Sequence, residues 1–193
     1  METLQPQGQA QTPEQDKNDW KRFLFDLLET VGLALILFLI INTLSARVRV
    51  DGFSMLPTLE DGEFVLVNKL AYRISPPARG DIIVFRAVSG DQDLIKRVIG
   101  VPGDEVLIAG SEVRVNGETL NEPYIKAEPE YNGQWKVPAG SVFVLGDNRN
   151  NSSDSSKWGY LPMENIIGKA LLIYWPPPNW AAIDHVKIVV AAP

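Results

Sequence analysis

Asp81-Ile82-Ile83-Val84-Phe85-Arg86, then Ser89-Gly90-Asp91, then Leu94-Ile95-Lys96-Arg97-Val98-Ile99-Gly100-Val101: two β-branched, apolar runs flank a turn cluster. Runs of this length and composition, bounded by Gly, Ser and Asp, read as strands. Outward from them the pattern repeats. Phe64–Asn68, Glu105–Ile108, Glu112–Val115, Ser141–Leu145 and Lys169–Trp175 are further β-rich runs, separated by Pro76-Pro77, Pro102-Gly103-Asp104 and Asn116-Gly117. Short strands with frequent turn signals predict a mainly β, antiparallel domain. Val113 to Asn116-Gly117 reads as one arm of a tight hairpin.

The part before residue 47 differs. Leu27 to Ala46 is an apolar stretch whose one charge is Glu29, near its start, and Val31 to Ile41 has no polar residue. At 1.5 Å per residue this stretch is about long enough to cross a bilayer. Trp20 lies where an interfacial aromatic would sit. A β-rich remainder offers no helical bundle in which such a helix could be buried. A cleaved secretory signal is a second alternative, against which the long acidic tail and Glu29 argue; residues 23–46 are predicted to form an uncleaved transmembrane helix. The polar residues 1–22, with no apolar period, are predicted to be a disordered tail. Lys17, Lys21 and Arg22 precede the span and Arg47 and Arg49 follow it, a slight bias towards a cytoplasmic N-terminus.

Composition narrows the chemistry. The chain has 193 residues, 45% of them hydrophobic, and a net charge of -6. No basic stripe suggests a nucleic-acid partner. Cysteine is absent, which removes thiol nucleophiles, disulfides and cysteine metal sites. A single histidine, His185, cannot build a paired-histidine zinc site, and its strand-like setting reads as structural. No metal or cofactor is expected. G-x-S-x-G, S-x-x-K, P-loop and G-x-G-x-x-G motifs are missing.

Three segments are left that can carry chemistry, each with an ordinary reading beside the functional one. Val50-Asp51-Gly52-Phe53-Ser54-Met55-Leu56-Pro57-Thr58-Leu59 places a serine at a glycine- and proline-stiffened bend. Most such serines are turn residues. Lys96 sits between Leu94 and Val98 on one strand face, where desolvation would lower its pKa; a snorkelling lysine fits the same pattern. Gly146-Asp147-Asn148-Arg149-Asn150-Asn151-Ser152-Ser153-Asp154-Ser155 is dense in short polar side chains. Such a loop can position a base, or simply be solvated.

Taken in order, these segments resemble the sequence boxes of the type I signal peptidases, the bacterial leader peptidase family. Ser54-Met55-Leu56-Pro57-Thr58-Leu59 matches the nucleophile box and Arg79-Gly80-Asp81-Ile82-Ile83-Val84-Phe85 the next strand. Lys96-Arg97-Val98-Ile99-Gly100 with Pro102-Gly103-Asp104 matches the base box, and Gly146-Asp147-Asn148-Arg149 with Ser152, Asp154 and Ser155 the last. The match covers roughly residues 20–175. Four boxes in order are specific, whereas any one alone is weak.

The resemblance implies a serine endopeptidase with a Ser/Lys dyad, Ser54 as nucleophile and Lys96 as general base. Ser152 would orient the amine, while Asp154, Asp147 and Arg149 would support the loop. The Ser54 N–H would form the oxyanion hole. Val48, Val50, Met55, Leu59, Val84 and Ile95 match positions that wall shallow substrate pockets. The implied partners are preprotein signal peptides, cut after small-x-small residues, and a lipid bilayer. Residues 47–193 would be an antiparallel β catalytic domain of the signal peptidase and LexA-like type, with a small β insertion at 104–141. That domain would lie on the extracytoplasmic side of a bacterial-type cytoplasmic or a thylakoid membrane. Two departures stand out. Gly52 occupies a position where some members carry a serine, and Ser156 followed by Lys157 replaces an arginine that would pair with Asp154. A LexA-like self-cleaving protease would share the dyad, but residues 1–46 hold no helix-turn-helix. An inactive, membrane-tethered peptide-binding β domain is a rival of another class.

Overall fold

The computed structural model describes residues 13–88 and 90–188. It divides into two units, Met1–Thr43 and Leu44–Pro193. The described part of the first lies in one helix, α1 (Pro13–Leu44), opening with proline at a position where a missing N–H costs nothing. Within it Asp19–Leu44, 26 residues, is long and apolar enough to cross a membrane, and none of it is buried against protein. The hydroxyls of Thr30 and Thr43 donate to the carbonyls of Asp26 and Leu39, each at 2.7 Å, so neither is left unsatisfied in an apolar setting. Helix is present upstream of residue 23, where an irregular tail was expected; residues 1–12 of that tail lie outside the described residues.

At its other end the helix stops at Leu44, not Ala46. Ser45–Arg49 forms β1, which pairs antiparallel with β2 (Phe64–Asn68) from Ser45↔Asn68 to Arg49↔Phe64. Ladder bonds to β2 take over the backbone groups that another helical turn would have used. A short helix α2 (Ala71–Ile74) leads to β3 (Ile82–Arg86) and β4 (Asp93–Gly100). The insertion follows as β5 (Glu105–Ala109), β6 (Glu112–Val115), β7 (Glu118–Thr119) and β8 (Gly133–Lys136). Then come β9 (Ser141–Leu145), helix α3 (Ser155–Trp158), β10 (Leu161–Pro162), β11 (Ile166–Trp175) and β12 (Ala181–Ala182).

Among the described residues, eight strands make one sheet in the order β1-β2-β11-β3-β4-β9-β10, with β12 on β11. Four make a second, β7-β6-β5-β8. Every pairing is antiparallel, as the strand and turn pattern predicted. The Asn116-Gly117 turn is the expected hairpin. Both residues have positive φ, 52° and 84°, and Val115 pairs directly with Glu118.

The uninterrupted run Ile82-Ile83-Val84-Phe85 is explained by burial on both faces. Ile82 and Val84 pack with Val50, Met55, Leu59, Val65 and Ile95, while Ile83 and Phe85 pack with Val98, Val142, Val144 and Leu161. A third cluster, Ile99, Val106, Val113, Val115, Phe143 and Leu145 among them, joins the insertion to the main sheet. The C-terminal segment returns across this sheet. A side chain on Gly80 would collide with the Val186 carbonyl, so only glycine admits that approach.

Candidate active site

Residues 50–63 form a loop closed by its own backbone. Val50 N donates to Glu63 O at 2.7 Å, and Gly62 N donates to Val50 O at 2.9 Å. Met55 and Leu59 are buried and anchor the loop in the core, which fixes the half-buried Ser54 between them and the groove. Gly52 has φ +94° and its N–H donates to Asp61 Oδ1 at 2.7 Å. Space around its missing Cβ is open, but the backbone angle is one that glycine alone adopts readily.

Lys96 comes from β4 and is only 3% exposed. Its Nζ lies 2.8 Å from Ser54 Oγ and donates to the Ile95 carbonyl at 2.9 Å. Burial pushes its pKa down from 10.5 to about 8, against the opposing pull of the Asp154 and Asp147 charges. The snorkelling alternative is excluded by this burial. A neutral amine at hydrogen-bond distance from a hydroxyl is the arrangement needed to remove the hydroxyl proton.

The 146–156 loop lies against both groups. Asn148 N donates to Ser54 O at 3.0 Å, and its side-chain amide donates to Phe53 O at 2.9 Å. A side chain at Gly146 would strike Ser152 and the Ser54 carbonyl. Asp154 accepts from Gly146 N at 2.9 Å and from the Ser156 N–H and hydroxyl at 3.1 and 2.7 Å. Ser156 thus supplies contacts to Asp154 where an arginine was missed in the sequence. Ser155 Oγ accepts from Val144 N at 3.0 Å, tying the loop to β9. Ser152 Oγ is buried with no hydrogen-bond partner among the described residues.

Asp147 and Arg149 hold partners that the sequence did not reveal. Arg97 Nε and Nη2 each donate to Asp147 at 2.8 Å, Nη1 donates to Gly80 O at 3.1 Å, and Thr58 Oγ1 donates to Asp147 as well. Arg149 pairs with Glu122 through two bonds of 2.7 and 2.6 Å and donates to Gly146 O at 3.2 Å. A signal for Arg97 was available: a cation on the face of an apolar strand opposite to Lys96 must be paired if it is buried. Nothing comparable marked Thr58 or Glu122.

A groove of about 510 Å³ runs between residues 47–51 and residues 91–96, with Ser54, Met55 and Lys96 in its wall. Val48, Val50, Met55 and Ile95 line it. Leu59 and Val84 do not; both have no exposed surface and sit behind the wall in the core. His185 is away from this chemistry. Its Nδ1 accepts from Ile82 N at 3.1 Å and its Nε2 is 2.8 Å from Ala170 O, so both ring nitrogens serve the backbone.

Residues 24–175 match the family described as signal peptidase, peptidase S26. A signal peptidase I from Leptolyngbya laminosa is 47% identical over 165 residues, 79% of this chain and 80% of that protein. A probable thylakoidal processing peptidase 2 of Arabidopsis thaliana is 39% identical over 141 residues, 68% of this chain and 38% of that one. The crystal structure of a signal peptidase I from Enterococcus faecalis is 30% identical and covers 49% of this chain and 97% of its own, with a TM-score of 0.46. A match across most of the β unit and most of the apolar helix, with close relatives along the same span, places this chain in the signal peptidase family, peptidase S26, and makes it a serine peptidase.

Proposed function

We propose that this protein removes signal peptides from exported preproteins by a Ser54/Lys96 dyad. The observation that carries the reading is the 2.8 Å approach of a buried Lys96 amine to Ser54 Oγ in the wall of a groove of about 510 Å³. Neutral Lys96 takes the Ser54 proton as Oγ bonds to the scissile carbonyl carbon. Charge developing on the carbonyl oxygen is met by the Ser54 N–H. Collapse breaks the C–N bond, and the Lys96 ammonium returns its proton to the departing amine of the mature protein. Water then attacks the acyl-enzyme with Lys96 as base again, releasing the signal peptide and restoring Ser54. The buried Ser152 hydroxyl, bonded to no other described group, is assigned the role of taking an amine hydrogen of Lys96 during turnover; Asp154 fixes the loop that carries it.

The substrate adds as an extended strand along β1, and Val48, Val50, Met55 and Ile95 restrict the groove to small side chains. Residues 23–46 anchor the chain in a bacterial-type cytoplasmic or a thylakoid membrane. Residues 1–22 are cytoplasmic and residues 47–193 extracytoplasmic, in accord with the weak excess of positive charge before the span. Trp175 and Trp180, 53% and 67% exposed, are suited to lipid headgroups. The test is incubation of the detergent-solubilised protein with a preprotein carrying an Ala-x-Ala signal junction. A new mature N-terminus immediately after the second alanine is expected, and its loss when that alanine becomes phenylalanine. Absence of any cleavage, or cleavage indifferent to that change, would refute the proposal.

A further inference from the structure

Residues 120–130, the connection between β7 and β8 of the insertion, hold the 146–151 loop at three points. Glu122 takes both terminal nitrogens of Arg149. Asn150 exchanges bonds with the strap, accepting from Glu130 N at 2.9 Å and donating to Glu128 O at 3.0 Å. Between these lies Tyr124, 8% exposed. Its ring faces the Arg97 guanidinium at 3.9 Å and the Arg149 guanidinium at 5.9 Å, and its hydroxyl donates to Glu122 at 2.7 Å.

We infer that the insertion is a clamp on the catalytic loop and that Tyr124 is a positioning residue for the Ser54/Lys96 reaction, an inference that rests on the dyad assigned above. The reasoning is geometric. Arg97 and Arg149 are both almost fully buried, carry like charge, and grip the same loop from two sides through Asp147 and through Gly146 O. An aromatic face attracts each cation and spaces the two. Asp147 and Gly146 are the residues that lead into Asn148, which bonds the carbonyls of Phe53 and Ser54, and the same loop carries Ser152. Taking away the ring leaves a void beneath Arg97. Any shift of Arg97 passes to Asp147 and then to the groups around the dyad, where misplacement by about 1 Å can cost on the order of a hundredfold in rate.

The experiment compares Tyr124→Leu, which keeps an apolar side chain without the π face, with Tyr124→Phe, which keeps the face without the hydroxyl, in the whole 193-residue chain. Cleavage of a signal-bearing preprotein and the unfolding midpoint are measured for each. Tyr124→Leu is expected to lower kcat about tenfold or more with KM changed less than about twofold, and Tyr124→Phe to recover most of kcat. An unchanged kcat in folded Tyr124→Leu, a loss confined to the unfolding midpoint, or no recovery in Tyr124→Phe overturns the inference. If Tyr124→Leu does not fold, Asn150→Ala carries the same test from the far side of the clamp: a fall in kcat at constant KM supports it and an unchanged kcat overturns it. Wild-type cleavage that is lost in Ser54→Ala leaves the peptidase assignment standing whichever way Tyr124 falls.

Discussion

Burial of Lys96 costs stability, and the cost can be measured apart from catalysis. Lowering an amine pKa from 10.5 to about 8 corresponds to roughly 3 kcal/mol at about 1.4 kcal/mol per pH unit. The folded pKa lies below the unfolded one. Between the two values the unfolded chain holds the proton that the folded chain has lost, so stability rises with pH across that window. Below about pH 8 the whole penalty is present; above about 10.5 it is gone. Lys96→Met removes the ammonium and keeps the length of the side chain. It also removes the bond to the Ile95 carbonyl, a loss of about 1–2 kcal/mol. The net expectation is a variant more stable than wild type by about 1–2 kcal/mol at pH 7, with the difference shrinking or reversing by pH 10. Urea unfolding in detergent, followed by tryptophan fluorescence at pH 7, 8, 9 and 10, gives the two curves. Parallel curves, with a constant difference at all four pH values, would refute a desolvated amine at this position.

Catalysis should carry the same signature: kcat/KM is expected to rise with pH along a limb centred near 8, because the proposed base, Lys96, can accept a proton only when neutral, and a limb near 10 in a stopped assay would contradict the burial. Ser152→Ala should lower kcat by about ten- to a hundredfold and leave KM nearly unchanged, as the role proposed for its hydroxyl in orienting the amine requires; lower stability with normal kcat would make the loop purely structural. Gly52→Ser fills open space but forces a β-carbon onto φ +94°, so it should destabilise by about 1 kcal/mol and give no gain in kcat. A faster enzyme with an unchanged unfolding midpoint would mean instead that a second oxyanion donor had been waiting there.

Strand positions were legible because two-fold alternation and turn residues are local signals. Phe64–Asn68, Glu112–Val115 and Ser141–Leu145 fall on β2, β6 and β9 with the same bounds. The strand β1 was not legible: Ser45 and Ala46 continue an apolar run, and only the partner strand β2, distant in sequence, turns them into sheet. Motif order points to Ser54 and Lys96, yet their meeting depends on a loop and a strand that no local pattern brings together. The least legible part is the support of the site. Arg97, Thr58, Glu122 and Tyr124 act through partners far along the chain, and each would be an ordinary surface residue in another fold. The expectation that Leu59 and Val84 face substrate failed for a related reason. Apolar character places a residue near the wall of a groove, and only the packing decides which side of that wall it occupies.

The dyad itself is tested most directly by measuring preprotein cleavage with Ser54→Ala, Lys96→Ala and the double variant. Two groups that pass one proton act as a unit, so their effects are not additive. Each single change is predicted to remove nearly all turnover, and the double variant to be little worse than either. Substantial cleavage by Lys96→Ala, or a double variant slower by the product of the two single losses, would contradict Lys96 as the base of Ser54.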